Sequence, residues 1–108
     1  MDLGQFSFSL AVKDLDRSRR FYQAFGFRVH GGDGENYIVM RNGDCVIGLF
    51  TGMFEENIMS FNPADVRSAQ TLLLQAGIEF EDMAEAGEGP AHAMLYDPDG
   101  NAILLDQL

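Results

Sequence analysis

The stretch FSFSLAVKDLDRSRRFYQAFGF, residues 6–27, carries the signals that decide the fold, in order. Phe6, Phe8, Leu10 and Val12 alternate with Ser7, Ser9 and Ala11, a period of two that predicts a half-buried β-strand. Asp14 follows as an N-cap, and Leu15, Ser18, Tyr22 and Phe25 recur at helical spacing. Gly26 then supplies a left-handed stop.

Working outward, Phe27–His30 reads as a short strand leading into a Gly31-Gly32-Asp33-Gly34 loop. Asn42-Gly43 predicts a two-residue hairpin turn, because both residues tolerate φ > 0. Such a turn pairs Arg41 with Asp44, Met40 with Cys45, Val39 with Val46, Ile38 with Ile47 and Tyr37 with Gly48. One face is then Ile38, Met40, Cys45, Ile47 and Leu49, apolar and expected to lie under a helix. The other carries Tyr37, Val39, Arg41, Asp44, Val46, Gly48 and Phe50.

After a connector at Thr51–Glu56 the order begins again, with a strand at Asn57–Phe61 and Asn62-Pro63 as cap and first-turn proline. Val66, Ala69, Leu72, Leu73 and Ala76 form an apolar helical stripe stopped by Gly77. A strand at Ile78–Asp82, an acidic loop at Met83–Gly89 and a hairpin of Ala91–Tyr96 and Asn101–Gln107 around Asp97-Pro98-Asp99-Gly100 complete the chain. Arg17-Ser18 recurs as Arg67-Ser68 and Gly26 as Gly77, offsets of 50 and 51 residues. The sequence therefore predicts one α+β domain over residues 1–108, built of paired βαβββ modules at 5–50 and 57–108 with the connector at 51–56. Neither module can bury its sheet alone. Two twisted sheets side by side are expected to form a curved, partly open mixed β-sheet cup with helices outside.

Composition narrows the function. Hydrophobic residues make up 46 % and charged residues 22 %, which argues against wholesale disorder. Seventeen acidic residues against seven basic ones give a net charge of −10, which argues against nucleic acid or an anionic membrane as partner. No apolar run approaches the ~20 residues of a membrane span, and no basic-then-apolar leader is read. The single cysteine, Cys45, cannot form an internal disulfide, so a cytoplasmic location is expected. Within the alternation Met40–Leu49 it reads as a buried structural thiol. His30 and His92 have no metal-ligand spacing, no nucleophile signature is present, and the glycine-rich loop opens no helix. No catalytic residue is read from these features.

Three stretches, taken with the internal repeat, resemble the vicinal oxygen chelate superfamily of glyoxalase I, bleomycin resistance proteins and extradiol dioxygenases. They are Leu10-Ala11-Val12-Lys13-Asp14-Leu15-Asp16-Arg17-Ser18 with Phe21-Tyr22, then Gly26-Phe27, then Asp97-Pro98-Asp99-Gly100-Asn101 with Ile103. The resemblance covers essentially the whole chain and implies the glyoxalase/bleomycin resistance fold. It also implies where metal ligands would stand: on the first strand seven residues before the capping Asp, in the fourth strand, at the start of the second half, and after the Ile of the last strand. Those positions are Ser7, Gly48, Ile58 and Leu104, of which only Ser7 has a side-chain oxygen. A member with no metal and no cofactor, near the bleomycin resistance branch, is the expectation.

The same alternation predicts a small-molecule pocket lined by Ser7, Ser9, Ala11, Tyr37, Val39, Arg41, Val46, Gly48 and Phe50 from the first half. Ile58, Ser60, Leu104 and Asp106, with Ala102, come from the second. Tyr37, Phe50 and Leu104 either line an open pocket or close it as a second core. Arg41 either holds an anionic group or pairs with Asp44. The expected function is sequestration of a cationic or aromatic compound. The alternatives are a glyoxalase-related lyase or other enzyme with a non-standard site, and a degenerate dimerisation or interaction module. A homodimer is expected, with Met53 and Phe54 of the connector offered to the partner.

Overall fold

The computed structural model describes all 108 residues, Met1–Leu108. It is α+β, with seven strands and two helices. The chain divides into two compact units, Ser7–Asn57, and Met1–Phe6 together with Ile58–Leu108.

The Ser7–Asn57 unit contains most of β1 (Gln5–Ala11), then α1 (Leu15–Ala24), β2 (Arg28–Gly32), β3 (Tyr37–Asn42) and β4 (Cys45–Phe50). Its strands lie in the order β2-β3-β4-β1. β1 and β4 are parallel, with Phe8 opposite Ile47 and Ala11 opposite Phe50, whereas β2, β3 and β4 form an antiparallel meander. The Asp14 carboxylate accepts from the Arg17 amide at 3.0 Å, the N-cap read from the sequence. A cap of this kind contributes about 1 kcal/mol. Gly26, at φ +101°, ends α1. Its amide donates to Gln23 O and that of Phe27 to Tyr22 O, the double bond of a Schellman terminus. α1 covers one face of the sheet, where Leu15, Phe27, Ile38, Met40, Ile47 and Leu49 form the core and Leu10, Val12 and Tyr22 pack against it.

Several expectations are corrected in this unit. The hairpin turns at Gly43-Asp44, and Asn42 pairs with Cys45, Arg41 with Val46, Val39 with Gly48 and Tyr37 with Phe50. Each partner is displaced by two residues, so the two faces survive while the expected Tyr37–Gly48 and Arg41–Asp44 neighbours do not. Cys45 is exposed rather than buried, because the shift leaves it at the hairpin tip, outside the core that α1 covers. β2 runs on through Gly31 and Gly32, and the ladder shifts between Val29 and Gly31 so that His30 is the extra residue of a bulge. Phe6 and Phe8 are exposed whereas Ser9 is 7 % accessible, so the first strand's apolar face is covered only from Leu10 onward.

The other unit contains β5 (Ile58–Asn62), α2 (Val66–Gln75), β6 (Ala91–Tyr96) and β7 (Ala102–Gln107). Strand order is β5-β7-β6, with β5 parallel to β7 and β6 antiparallel to it. The cap of α2 is Asp65, not Asn62-Pro63; its carboxylate accepts from the Ser68 amide at 3.0 Å. Asn62 is instead held in the sheet, its side-chain amide donating to Asp106 O, and the Val66 amide donates to Gln107 Oε1. Gly77 repeats the Schellman terminus of Gly26, with Ile78 N donating to Leu73 O. Val66, Ala69, Ala93, Leu95 and Leu105 form the core. Leu72, expected in the buried stripe, is exposed. The expected strand Ile78–Asp82 reduces to one bridge, Asp82 opposite Met94, so this unit is βαββ with a bridging segment.

Two carboxylates pin loops through backbone amides. Asp33 accepts from the amides of Tyr37, Asn36 and Glu35, which holds its carboxyl well below the usual carboxylate range. Asp97 is lowered by the Asn101 side chain first, then by the amides of Asn101, Asp99 and Gly100. A carboxylate whose folded pKa is depressed stabilises the fold above its unfolded value and loses that contribution as pH falls. Melts recorded at decreasing pH are therefore expected to show a decline beginning near the ordinary value of 3.8. Asp33→Asn and Asp97→Asn, which leave a neutral acceptor, should each flatten that decline.

Candidate functional site

In a strand, residues opposite in parity to the core face point away from the helix. In the Ser7–Asn57 unit this second face carries Ser9, Val39 and Gly48 side by side, and Ala11, Tyr37 and Phe50 in the next row. Ser9 and Gly48 are buried, and Tyr37, Val39, Arg41 and Phe50 are half-buried. Ser7 is half-buried on the same face, and Val46, opposite Arg41, is buried there too.

Gly48 has a packing reason to lack a side chain. A Cβ built on it would lie 2.5 Å from Cε2 and 3.2 Å from Cζ of Phe50, so the Phe50 ring rests over the glycine backbone. The Tyr37 ring stacks on Phe50 with centroids 5.4 Å apart and planes inclined by 6°, and Phe54 tilts against Phe50 at 5.2 Å. Three rings thus form a wall beside the Ser9–Gly48–Val39 row. Phe54, read from the sequence as a dimer contact, is half-buried in this wall, whereas Met53 is exposed. The contribution of Phe54 to this face escaped the sequence reading because connector residues have no period to reveal their direction.

In the other unit the face away from α2 places Ser60, Leu104 and Met94 in one row and Ile58, Ala102 and Tyr96 in the next. Asp106 is opposite His92, and His92 Nε2 lies 3.6 Å from an Asp82 carboxylate oxygen. Ile58 and Ser60 are buried, and Leu104 and Asp106 half-buried. His92, Met94 and Tyr96 were missed; the signal available was the Asp97–Gly100 turn, whose flanking strands set their register.

The chemistry of these faces is apolar and aromatic with hydroxyls and few charges. At the positions where the superfamily resemblance puts metal ligands, Gly48 has no side chain and Ile58 and Leu104 are hydrocarbon. A neutral serine hydroxyl at Ser7 is a weak ligand by itself. This residue set does not fit a bound metal ion, and no group of three or more His, Cys, Asp or Glu side chains stands where it could hold one.

Residues 4–105 match the model of the Glyoxalase/Bleomycin resistance protein/Dioxygenase superfamily. The chain belongs to this superfamily. No curated protein matches it. Among solved structures, a superfamily member from Vibrio splendidus is similar at a TM-score of 0.75 and 15 % identity, over 96 % of this chain and 98 % of that one. A Legionella pneumophila structure described as NAD-dependent benzaldehyde dehydrogenase gives 0.78 at 14 % identity, over 95 % and 98 %. The methylmalonyl-CoA epimerase of Streptomyces coelicolor gives 0.66 at 19 % identity, over 98 % of each chain. At such identities the likeness establishes the superfamily's fold. No helix is long and apolar enough to cross a membrane.

The position of Phe50 over Gly48 can be tested directly. Gly48→Ala should displace the Phe50 ring from Tyr37, alter the near-ultraviolet tyrosine dichroism and cost about 1–3 kcal/mol through overpacking. Unchanged dichroism and an unchanged denaturation midpoint would show that the ring does not occupy that space.

Proposed function

We propose that this chain is a small-molecule-binding member of its superfamily, one that holds an aromatic or cationic compound without a metal at the four usual positions. The observation that carries the reading is the residue set Ser7, Gly48, Ile58 and Leu104, of which only Ser7 has a side-chain oxygen. The stacked Tyr37–Phe50 pair beside Ser9 and Gly48 supports it, since an exposed ring edge or face in such a wall attracts planar and cationic groups. Ser7, Val39 and Arg41 complete the proposed site in this unit. Ile58, Ser60, Leu104 and Asp106 are proposed to serve a ligand from theirs. The whole chain is taken as one domain, and the lone Cys45 supports a cytoplasmic location.

A thermal-shift screen of aromatic and cationic compounds checks the reading. A ligand at a hundred times its Kd adds roughly 2.7 kcal/mol, a readable shift. Tyr37→Ala should then weaken the best binder by roughly 1–3 kcal/mol while the variant stays folded. A second reading, an enzyme, is favoured by the epimerase among the fold neighbours. Stabilisation by Zn²⁺, Ni²⁺ or Mn²⁺ that a chelator reverses, with none by organic compounds, would select it over the first.

The chain is also proposed to be a homodimer. Phe21 and Phe25 on α1 are 62 % and 69 % accessible and Met53 is 62 % accessible, apolar surface that a second copy would cover. Light scattering at tens of micromolar should return twice the 12.0 kDa chain mass; a monomer mass refutes the dimer.

A further inference from the structure

The two helices begin alike. Asp14 caps α1 through the Arg17 amide and Asp65 caps α2 through the Ser68 amide, both at 3.0 Å. The two caps, like the two glycine stops, are 51 residues apart, so Arg17 corresponds in place to Ser68 and Phe21 to Leu72. The Arg17-Ser18 and Arg67-Ser68 pairs of the sequence, 50 residues apart, therefore do not stand in equivalent places. Arg67 holds a loop, donating to the carbonyls of Glu85 and Gly89, whereas Arg17 stands at a recess of its own unit.

Each unit has such a recess, where the end of its first strand meets the first turns of its helix, and each measures about 360 Å³. They differ in what lines them. Asp2, Asp65, Ser68 and Leu72 are part of the α2 recess, which thus carries two carboxylates. Arg17, Ser18, Tyr22 and Asn57 line the α1 recess, and no carboxylate does. Leu10, Val12 and Phe21 give it an apolar side. Asn57 is fixed there because its Oδ1 accepts from the Ala11 amide at 3.1 Å, which leaves its NH2 group as a donor. Phe21 is exposed and meets Tyr22 edge to face at 5.1 Å. The neighbouring carboxylate of Asp16 is held by Arg19 and Arg20.

We propose that the α1 recess binds a small aromatic carboxylic acid, its carboxylate on Arg17 and its ring against Phe21 and Tyr22. A guanidinium meets a carboxylate with two parallel donors, and the Ser18 hydroxyl and the Asn57 amide supply more. The rings take the apolar end of such a ligand in an offset or edge-on contact. A space of about 360 Å³ falls within the range of small-molecule sites. Although the chain has a net charge of −10, residues 13–20 hold four basic residues against two acidic ones, so the local field favours an anion. Every residue of the recess belongs to the Ser7–Asn57 unit. None of them is among the rings Tyr37, Phe50 and Phe54 or the positions Ser7, Gly48, Ile58 and Leu104, so the site stands whether or not the aromatic wall binds a compound.

The test titrates the ¹⁵N-labelled full chain with phenylacetate, with acetate as the carboxylate alone, and with 2-phenylethanol as the ring without charge, at constant ionic strength. Saturable shifts at Arg17, Ser18 and Asn57 are expected with phenylacetate, at a Kd about tenfold or more below that of either half-ligand. Arg17→Gln should weaken phenylacetate about tenfold or more, the scale of one charge-assisted contact. Phe21→Leu, which copies the α2 recess, should remove most of the advantage over acetate, and Arg20→Gln should leave binding unchanged. Arg17 and Phe21 are exposed, so both replacements leave the chain folded. Phe21 is shared with the surface proposed to meet a second copy and Arg17 is not, so Arg17→Gln should weaken phenylacetate without changing the light-scattering mass. Phenylacetate binding no tighter than acetate, or Arg17→Gln binding equal to that of the parent chain, would overturn the proposal. So would the largest shifts falling at Tyr37, Val39 and Gly48, a result that moves the ligand to the aromatic wall and supports that reading instead.

Discussion

The pairing of each unit's first strand with its last, in parallel, is the constraint on which the rest depends. β1 lies beside β4 and β5 beside β7, with the intervening helix and hairpin held between them in sequence. Parallel neighbours cannot be joined by a tight turn, so the chain must cross over one face of the sheet, and the crossover is the helix. The helix then needs an apolar stripe beneath it. Met40, Leu49 and Ile47 provide it in one unit, and Val66 on α2 against Leu105 and Ala93 in the other. Because loop closure precedes the reward from these contacts, the two caps and the two glycine-terminated helix ends matter beyond their individual energies. They stop each helix where the chain must turn back.

With one face of each unit's strands committed to a helix, the other is left to side chains the helix does not cover. Its character follows from what a strand must do on both sides at once. Gly48 and Phe50 illustrate this: the ring can lie flat on the sheet only because the residue two places before it has no side chain. Tyr37 then stacks on the ring at a small angle instead of filling the space above the glycine. Gly48 in this unit, and Ile58 and Leu104 in the other, carry no ligand atoms.

How much was legible depends on the range of the interaction. Helix limits were readable at Asp14, Gly26 and Gly77, because capping and termination are settled by residues within a turn of one another. The start of α2 was misread at Asn62-Pro63. There the competing use of Asn62, a bond to Asp106 O, comes from a strand more than forty residues away. Hairpin faces were readable from the alternation, and they survived a turn placed one residue early because the resulting partner shift is even. The partners themselves were not readable, since Gly43-Asp44 and Asn42-Gly43 are both plausible two-residue turns and only the full ladder with β1 and β2 selects between them. Cys45 followed that error from core to surface.

The sequence by itself determined the α+β class, the internal repeat, the superfamily and the lack of a side-chain donor atom at three of the four positions where the resemblance puts metal ligands. Each of these is a property of residue type, local spacing or motif order, and none requires knowing what lies opposite. Tertiary structure alone decided that Tyr37 meets Phe50, that Phe54 joins them, that His30 bulges out of β2, and that Arg28 faces Arg41. These are relations between strands. Strand pairing is set by the summed fit of whole ladders and of the core beneath them, so no single stretch of residues contains the answer.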